Sequence, residues 1–229
     1  MLEKRKKISK KEIKQDTLVT SYYKAYSFFI ENQVKILIGV GVVALVVVAI
    51  VLYSNKKSGD TKTASVLLAK VMPTYDGGQY KQAIEGIKAS NVVGLKEIVD
   101  GYGSTEPGEA AKIMLASSYF YTGDYENALE NYEDYSGSNA LFKATALAGE
   151  AAYYEVKNDL GKAAGLYKDA AQVDKVNPSN SDYLLRASIN YLKVGKKEEA
   201  KSLLKMIKKD FRTTSAAQEV DKYLIQVEG

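Results

Sequence analysis

The sequence predicts an all-α chain: a single N-terminal transmembrane helix followed by an α-solenoid of stacked helical hairpins. Three observations predict it. Val34 to Tyr53 is a twenty-residue run in which only Lys35 is charged. A turn-and-helix string recurs four times further along. The chain has only three prolines and, outside the run, few stretches rich in β-branched residues. That leaves helix packed on helix as the architecture.

The chain opens on a basic arm, residues 1–33. Up to Tyr53 it carries nine basic and four acidic residues, net +5, whereas residues 54–229 carry 23 basic and 24 acidic, net −1. The overall charge of +4 is therefore a property of the arm. Basic residues flanking a span stay on the cytoplasmic side. The N-terminus is expected in the cytoplasm and the C-terminal domain across the membrane, which for a bacterial inner membrane means the periplasm. Lys56 and Lys57 on the far side weaken this asymmetry without reversing it. Setting orientation is the simplest role of the cluster. Contact with anionic lipid or ribosomal RNA is the other one its charge allows.

Within the arm, Leu18, Tyr22, Tyr26 and Phe29 recur at helical spacing, as do Val19, Tyr23, Tyr26 and Ile30. Asp16, Thr20, Lys24, Ser27 and Glu31 fall on the other side. This is an amphipathic helix rich in aromatic residues, suited to the headgroup layer. Tyr22, Tyr23, Tyr26 and Phe29 are its expected membrane-interface residues. The same face would also serve a membrane partner, and the two roles are compatible.

Residues 34–53 are expected to cross the bilayer, since ~20 apolar residues span a core of ~30 Å. A cleaved signal sequence has an apolar core of ~7–15 residues and a small-x-small exit. Here more than thirty residues precede the run, and it leaves through Ile50, Val51, Leu52, Tyr53 and Ser54. Gly39, Gly41 and Ala44 imitate a nucleotide fingerprint, but that motif needs a strand-to-helix turn. Inside a membrane helix such small residues are either ordinary or a close-approach face. Residues 54–62 read as a linker.

Residues 63–212 carry the repeat. The strings are Gly78 to Ile84, Gly123 to Leu129, Asn158 to Ala164 and Gly195 to Lys201. Their alanines, Ala83, Ala128, Ala163 and Ala200, stand 45, 35 and 37 residues apart. In the second unit Ala116, Tyr119, Gly123, Ala128 and Tyr132 follow a small, aromatic, turn, small, aromatic order. Ala151, Tyr154, Ala163, Tyr167 and Ala170 do so in the third, and Ser188, Tyr191, Gly195, Ala200 and Leu204 in the fourth. The first is degenerate, with Val71 and Thr74 at the leading positions. Small residues let the helices of a hairpin approach, aromatics fill the space between hairpins, and Gly or Asn ends the first helix. The wide first gap holds an insert, 90–108, with Leu95, Ile98 and Val99 on a short extra helix that Gly101, Gly103 and Pro107 break. Pro178 and Ser179 mark a looser junction. Residues 213–229 form a closing helix with Val220, Tyr223, Leu224 and Val227 inward, as a solenoid end requires.

This pattern resembles the tetratricopeptide repeats, whose period is near 34 residues. The resemblance implies that the first helix of each hairpin lines a concave groove. The implied groove residues are Leu68, Met72 and Tyr75, then Ile113, Ser117 and Phe120, then Ala148, Ala152 and Glu155, then Leu185, Ile189 and Leu192. This set contains no Lys or Arg. The basic and Asn clamp with which some cochaperones of the family hold a C-terminal carboxylate is therefore not implied. An apolar groove suits an extended segment or helix from a partner. It is equally open to the chain's own closing helix, or to being ordinary core.

Composition removes further classes. Without Cys or His there is no disulfide, no thiol nucleophile, and neither the commonest metal ligand nor the commonest general base. No G-x-S-x-G and no Walker loop occurs, so no enzyme and no cofactor are expected.

The whole arrangement is similar to the YfgM-like membrane-anchored repeat proteins. It is carried by Phe28 to Asn32 running into the anchor, the degenerate first unit and the insert Gly101 to Lys112. That family comprises ancillary subunits of the bacterial Sec translocon paired with a PpiD-type periplasmic chaperone. The resemblance implies a non-enzymatic protein-binding scaffold that engages such a chaperone or emerging secretory chains. The alternative is a scaffold or assembly factor of another cell-envelope secretion or cell-wall complex.

Overall fold

The structure, a computed structural model, describes residues 10–228. The basic residues Lys4 to Lys7 lie outside the described residues. The chain divides into two compact units, Met1–Lys56 and Lys57–Gly229.

In the first unit the described residues belong to helix α1 (Lys10–Asp76), which has no break there. Nearly all large side chains of the apolar run are exposed, among them Leu37, Leu45 and Leu52. A helix apolar on every side has no stable place in water. This one is long and apolar enough to cross a membrane. Tyr22, Tyr23, Tyr26 and Phe29 are also exposed, and Tyr22 stacks on Tyr26 with ring centres 6.3 Å apart. At ~1.5 Å per residue, Phe29 stands about 8 Å and Tyr22 about 18 Å along the helix from Val34. Lying flat in the headgroup layer would need a break before Val34, and α1 has none there.

The second unit begins with residues 57–76 of α1. Residues 57–62, part of the expected linker, are helical there, and Ser54 to Lys56 are helical in the first unit. The polar residues hold this helix rather than ending it. Thr61, Thr63 and Ser65 donate their hydroxyls to the carbonyls of Lys57, Gly59 and Thr61, four residues back.

Nine helices follow α1. They are α2 (Tyr80–Glu85), α3 (Leu95–Tyr102), α4 (Glu106–Thr122), α5 (Tyr125–Glu133), α6 (Ala140–Val156), α7 (Leu160–Val173), α8 (Asn180–Lys193), α9 (Lys197–Asp210) and α10 (Ser215–Glu228). Helices α4 to α10 each pack on the next in order, and α4 also meets α6. This succession of neighbours is the mark of a solenoid.

The four hairpin turns are copies of one another. Gly78, Gly123, Asn158 and Gly195 have φ of 71°, 86°, 62° and 76°. In each, the next residue donates its N–H five residues back, to the carbonyls of Thr74, Tyr119, Tyr154 and Tyr191. The turn residue itself donates three back, to Tyr75, Phe120, Glu155 and Leu192. This pair of bonds closes a helix on a left-handed residue and satisfies two carbonyls of its last turn. Asp124 and Asp159 then cap α5 and α7 by accepting from the N–H of Asn127 and Lys162. The alanines Ala83, Ala128, Ala163 and Ala200 are all fully buried.

The insert differs from its expected form. Gly86–Ile87 and Val92–Val93 pair as a minimal antiparallel ladder, β1 and β2, around a 3₁₀ turn at Lys88–Ser90. The extra helix α3 is present, and Leu95 and Ile98 are fully buried beside Val71, Ala83 and Leu115. The expected breakers act differently. Gly101 lies inside α3, Gly103 follows its end, and Pro107 sits in the first turn of α4. Pro belongs there because the first helical N–H groups have no partner to lose.

A polar clamp ties the start of α4 to the turn before α6. The buried carboxylate of Glu109 accepts from Ser136 through its N–H at 2.9 Å and its hydroxyl at 2.7 Å. Lys112, also buried, pairs with Glu109 at 3.2 Å and with Asp134 at 2.8 Å. Burial alone would raise the Glu109 pKa, but the bonds from Ser136 and Lys112 outweigh it and hold the carboxyl below its ordinary value.

Candidate protein-binding groove

The repeat helices form an open cavity of about 540 Å³ bordered mainly by α4, α6 and α8. Its floor is the small-residue face of α6, formed by Ala148, Gly149 and Ala152. Phe120 and Tyr121 border it from α4, and Tyr183 and Arg186 from α8.

Two tyrosines reach it from elsewhere. Tyr132 of α5 and Tyr167 of α7 sit at the aromatic positions of the repeat and are buried as that role requires. Both nevertheless border the cavity. The Tyr132 hydroxyl is 3.0 Å from Ser117 Oγ. Burial pushes its pKa up to about 12, with the Ser117 bond pulling the other way. The Tyr167 hydroxyl donates to Glu155 Oε2 at 3.0 Å. Burial, and then the negative charge of Glu155, raise its pKa as well. Asn190, fully buried, donates to Glu155 Oε1 at 3.1 Å. Glu155 is thus held by two neutral donors before any cation is counted. Arg186 approaches it at 3.6 Å and lies over the Tyr167 ring at 5.7 Å.

Five of the twelve expected groove residues meet here: Ser117, Phe120, Ala148, Ala152 and Glu155. The others do not line the cavity, although Tyr75 hydrogen-bonds Ser117, which does. Leu68 and Ile113 are buried in the core, Tyr75 packs against the core of the first repeat unit, and Met72 is exposed. Leu185, Ile189 and Leu192 belong to the cluster that holds Ala216, Val220 and Val227 of α10. These three residues therefore belong to the core that joins α8 to the closing helix.

The sequence reading missed Arg186, and with it the one cation that borders this cavity among the described residues. It also missed Tyr121, Tyr183, Tyr132 and Tyr167 as groove residues. The pattern of the third unit, transferred to α8, points at the face that α10 covers. The cavity instead uses the flank of α8 carrying Tyr183 and Arg186, three residues apart. One signal was available: a strongly polar Arg within a helix whose neighbours, Leu184, Leu185 and Ala187, are all buried. Among the described residues no cluster of Asp and Glu is placed to hold a metal ion.

The sequence matches the tetratricopeptide repeat-like domain over residues 26–149, more than half of the chain. The chain belongs to that family. The match takes in the apolar run, the first two hairpins and most of α6. Tetratricopeptide repeat-like domains are protein-interaction modules, and a groove of tyrosines over a small-residue floor is the surface such a module offers. No curated protein matches the sequence.

Proposed function

We propose that this chain is a non-enzymatic, membrane-anchored protein-binding scaffold, an ancillary subunit of the bacterial Sec translocon. Its repeat domain engages a PpiD-type periplasmic chaperone or emerging secretory chains. The observation that carries the binding role is the tyrosine-lined cavity, in a chain that also has a helix long and apolar enough to cross a membrane. The charge contrast between arm and domain supports a cytoplasmic N-terminus and a periplasmic C-terminal domain in the inner membrane. On the unbroken α1, Phe29 and Tyr26 stand within reach of the headgroups, while Tyr22 and Tyr23 stand farther out and suit a partner. The partner and compartment rest on the resemblance to the YfgM-like proteins.

Affinity purification of the full chain in mild detergent, followed by mass spectrometry, tests this. The proposal expects translocon subunits and a periplasmic chaperone, with the translocon lost when residues 1–53 are deleted. Stable recovery with a different envelope machine and no translocon would replace it with the scaffold alternative.

A further inference from the structure

Three features of the cavity bear on what enters it. Arg186 is more than half exposed and is held by a 3.6 Å contact to Glu155 and by Tyr167, over whose ring it lies and whose hydroxyl it approaches. A guanidinium has five N–H donors in a rigid fork, so most of this fork is open to an incoming acceptor. Glu155 does not depend on it, because Tyr167 and Asn190 already donate to both carboxylate oxygens. Glu155 and Tyr167 therefore hold the guanidinium from one side and leave its exposed donors to the cavity. This arrangement is suited to a second carboxylate, which Arg takes in a bidentate, charge-assisted geometry.

The opposite end is different. Phe120 and Tyr121 meet edge to face with ring centres 6.2 Å apart, and Tyr121 stacks on Tyr80 at 4.7 Å. That end offers aromatic surface without a charge. Tyr121 at one end, Tyr183 at the other and Thr145 on α6 between them are hydroxyl residues of the border, the Thr145 hydroxyl already donating to the Leu141 carbonyl and keeping its acceptor. Hydroxyls of this kind serve the free N–H and C=O groups of an extended chain, whereas a helix has satisfied its own.

We propose that the cavity binds an extended segment of a partner protein that sets an Asp or Glu side chain on Arg186 and an aromatic or aliphatic side chain against Phe120 and Tyr121. The inference deepens the protein-binding reading above and rests on it. The two ends lie on α8 and α4, with α6 between. Two interhelix steps of 8–10 Å put them roughly 16–20 Å apart. At ~3.3 Å per residue the acidic and apolar residues stand about five or six positions apart.

The test is selection from a random twelve-residue peptide display library on the full chain in lipid nanodiscs, run on wild type and on Arg186→Glu. Wild type is expected to enrich peptides with an acidic residue and an apolar residue five or six apart. Arg186→Glu is expected to replace the acidic preference with a basic one and keep the apolar one. A synthetic wild-type consensus peptide should bind at least tenfold more weakly when its acid becomes Asn, and likewise to Arg186→Gln. Arg186 is largely exposed, and unchanged circular dichroism of both variants confirms their fold. Enrichment without an acidic position, the same peptides from both proteins, or no enrichment would each overturn the proposal. Translocon recovery with wild-type Arg186 is measured separately. If it succeeds while the acidic preference fails, only the peptide chemistry falls.

Discussion

Gly149 and Gly165 are both helical glycines, and the structure predicts opposite signs for changing each to Ala. At Gly149 an added Cβ would stand 2.3 Å from Cε2 and Cζ of Tyr132 and 2.6 Å from Cδ2. Carbon atoms rest at about 3.5–4.0 Å, so the ring must retreat by more than 1 Å. Tyr132 is only 6% exposed, and the open space beside it is the cavity that it borders. Overpacking of this kind costs about 1–3 kcal/mol. Displacing the ring also strains the 3.0 Å bond to Ser117, whose loss costs about 1 kcal/mol. Against this, Ala gains about 0.8–1 kcal/mol of helix propensity over Gly. The net expectation for Gly149→Ala is a destabilisation of about 1–3 kcal/mol. At Gly165 an added Cβ meets nothing within 4 Å. Only the propensity acts there, so Gly165→Ala should stabilise by about 0.8–1 kcal/mol. Urea unfolding of the full chain in mild detergent, followed by circular dichroism at 222 nm, reads both. If Gly149→Ala stabilised the protein as Gly165→Ala does, Tyr132 would not be locked against α6, and the geometry given for the groove wall would be wrong.

Other consequences follow from local geometry. Asp159→Ala removes the acceptor for the Lys162 N–H and should cost about 1 kcal/mol in the same unfolding measurement. Lys196 precedes α9 with nearly the backbone angles of Asp124 and Asp159 but without a side-chain cap. Lys196→Asp should therefore stabilise by about 0.5 kcal/mol, and a loss would contradict the equivalence of the turns. Glu109 has a folded pKa below its ordinary 4.5. Its contribution is present above that value and lost as the pH falls through the folded pKa. The stability gap between wild type and Glu109→Gln should be constant near neutrality and close below pH 4.5; a gap unchanged at pH 3 would refute the clamp. Tyr132, raised to about 12 by burial, contributes stability below pH 10 that is lost as the pH rises towards 12. The difference in phenolate absorbance at 295 nm between wild type and Tyr132→Phe should appear only with unfolding, and a difference that titrates near pH 10 in the folded protein would argue against its burial.

The parts of the fold legible in the sequence are those that local chemistry decides. A left-handed residue at a helix end demands Gly or Asn, so Gly78, Gly123, Asn158 and Gly195 marked the turns. Close helix contact demands a small side chain, so Ala83, Ala128, Ala163 and Ala200 marked the hairpins. The inward residues of α10 were legible because one face of a closing helix must be apolar. The groove was less legible. Its lining depends on how hairpins rotate against one another and on what α10 covers, and neither is written in one unit's spacing. Arg186 therefore escaped notice, while Leu185, Ile189 and Leu192 were placed in the groove and lie instead in the core shared with α10. Residues 54–62 looked like a linker because Ser54, Asn55, Ser58 and Gly59 are turn formers. They are helical all the same, and Thr61, Thr63 and Ser65 satisfy their hydroxyls on carbonyls four residues back.

The central claim is that the concave side of the repeat array receives a protein. Site-specific photocrosslinking of the full chain in membranes tests it most directly, with benzoylphenylalanine at Phe120 on the cavity and at Lys168, exposed on α7. The account predicts defined protein adducts from position 120 and none from position 168. Equal adducts from both positions, or adducts only from 168, would contradict it.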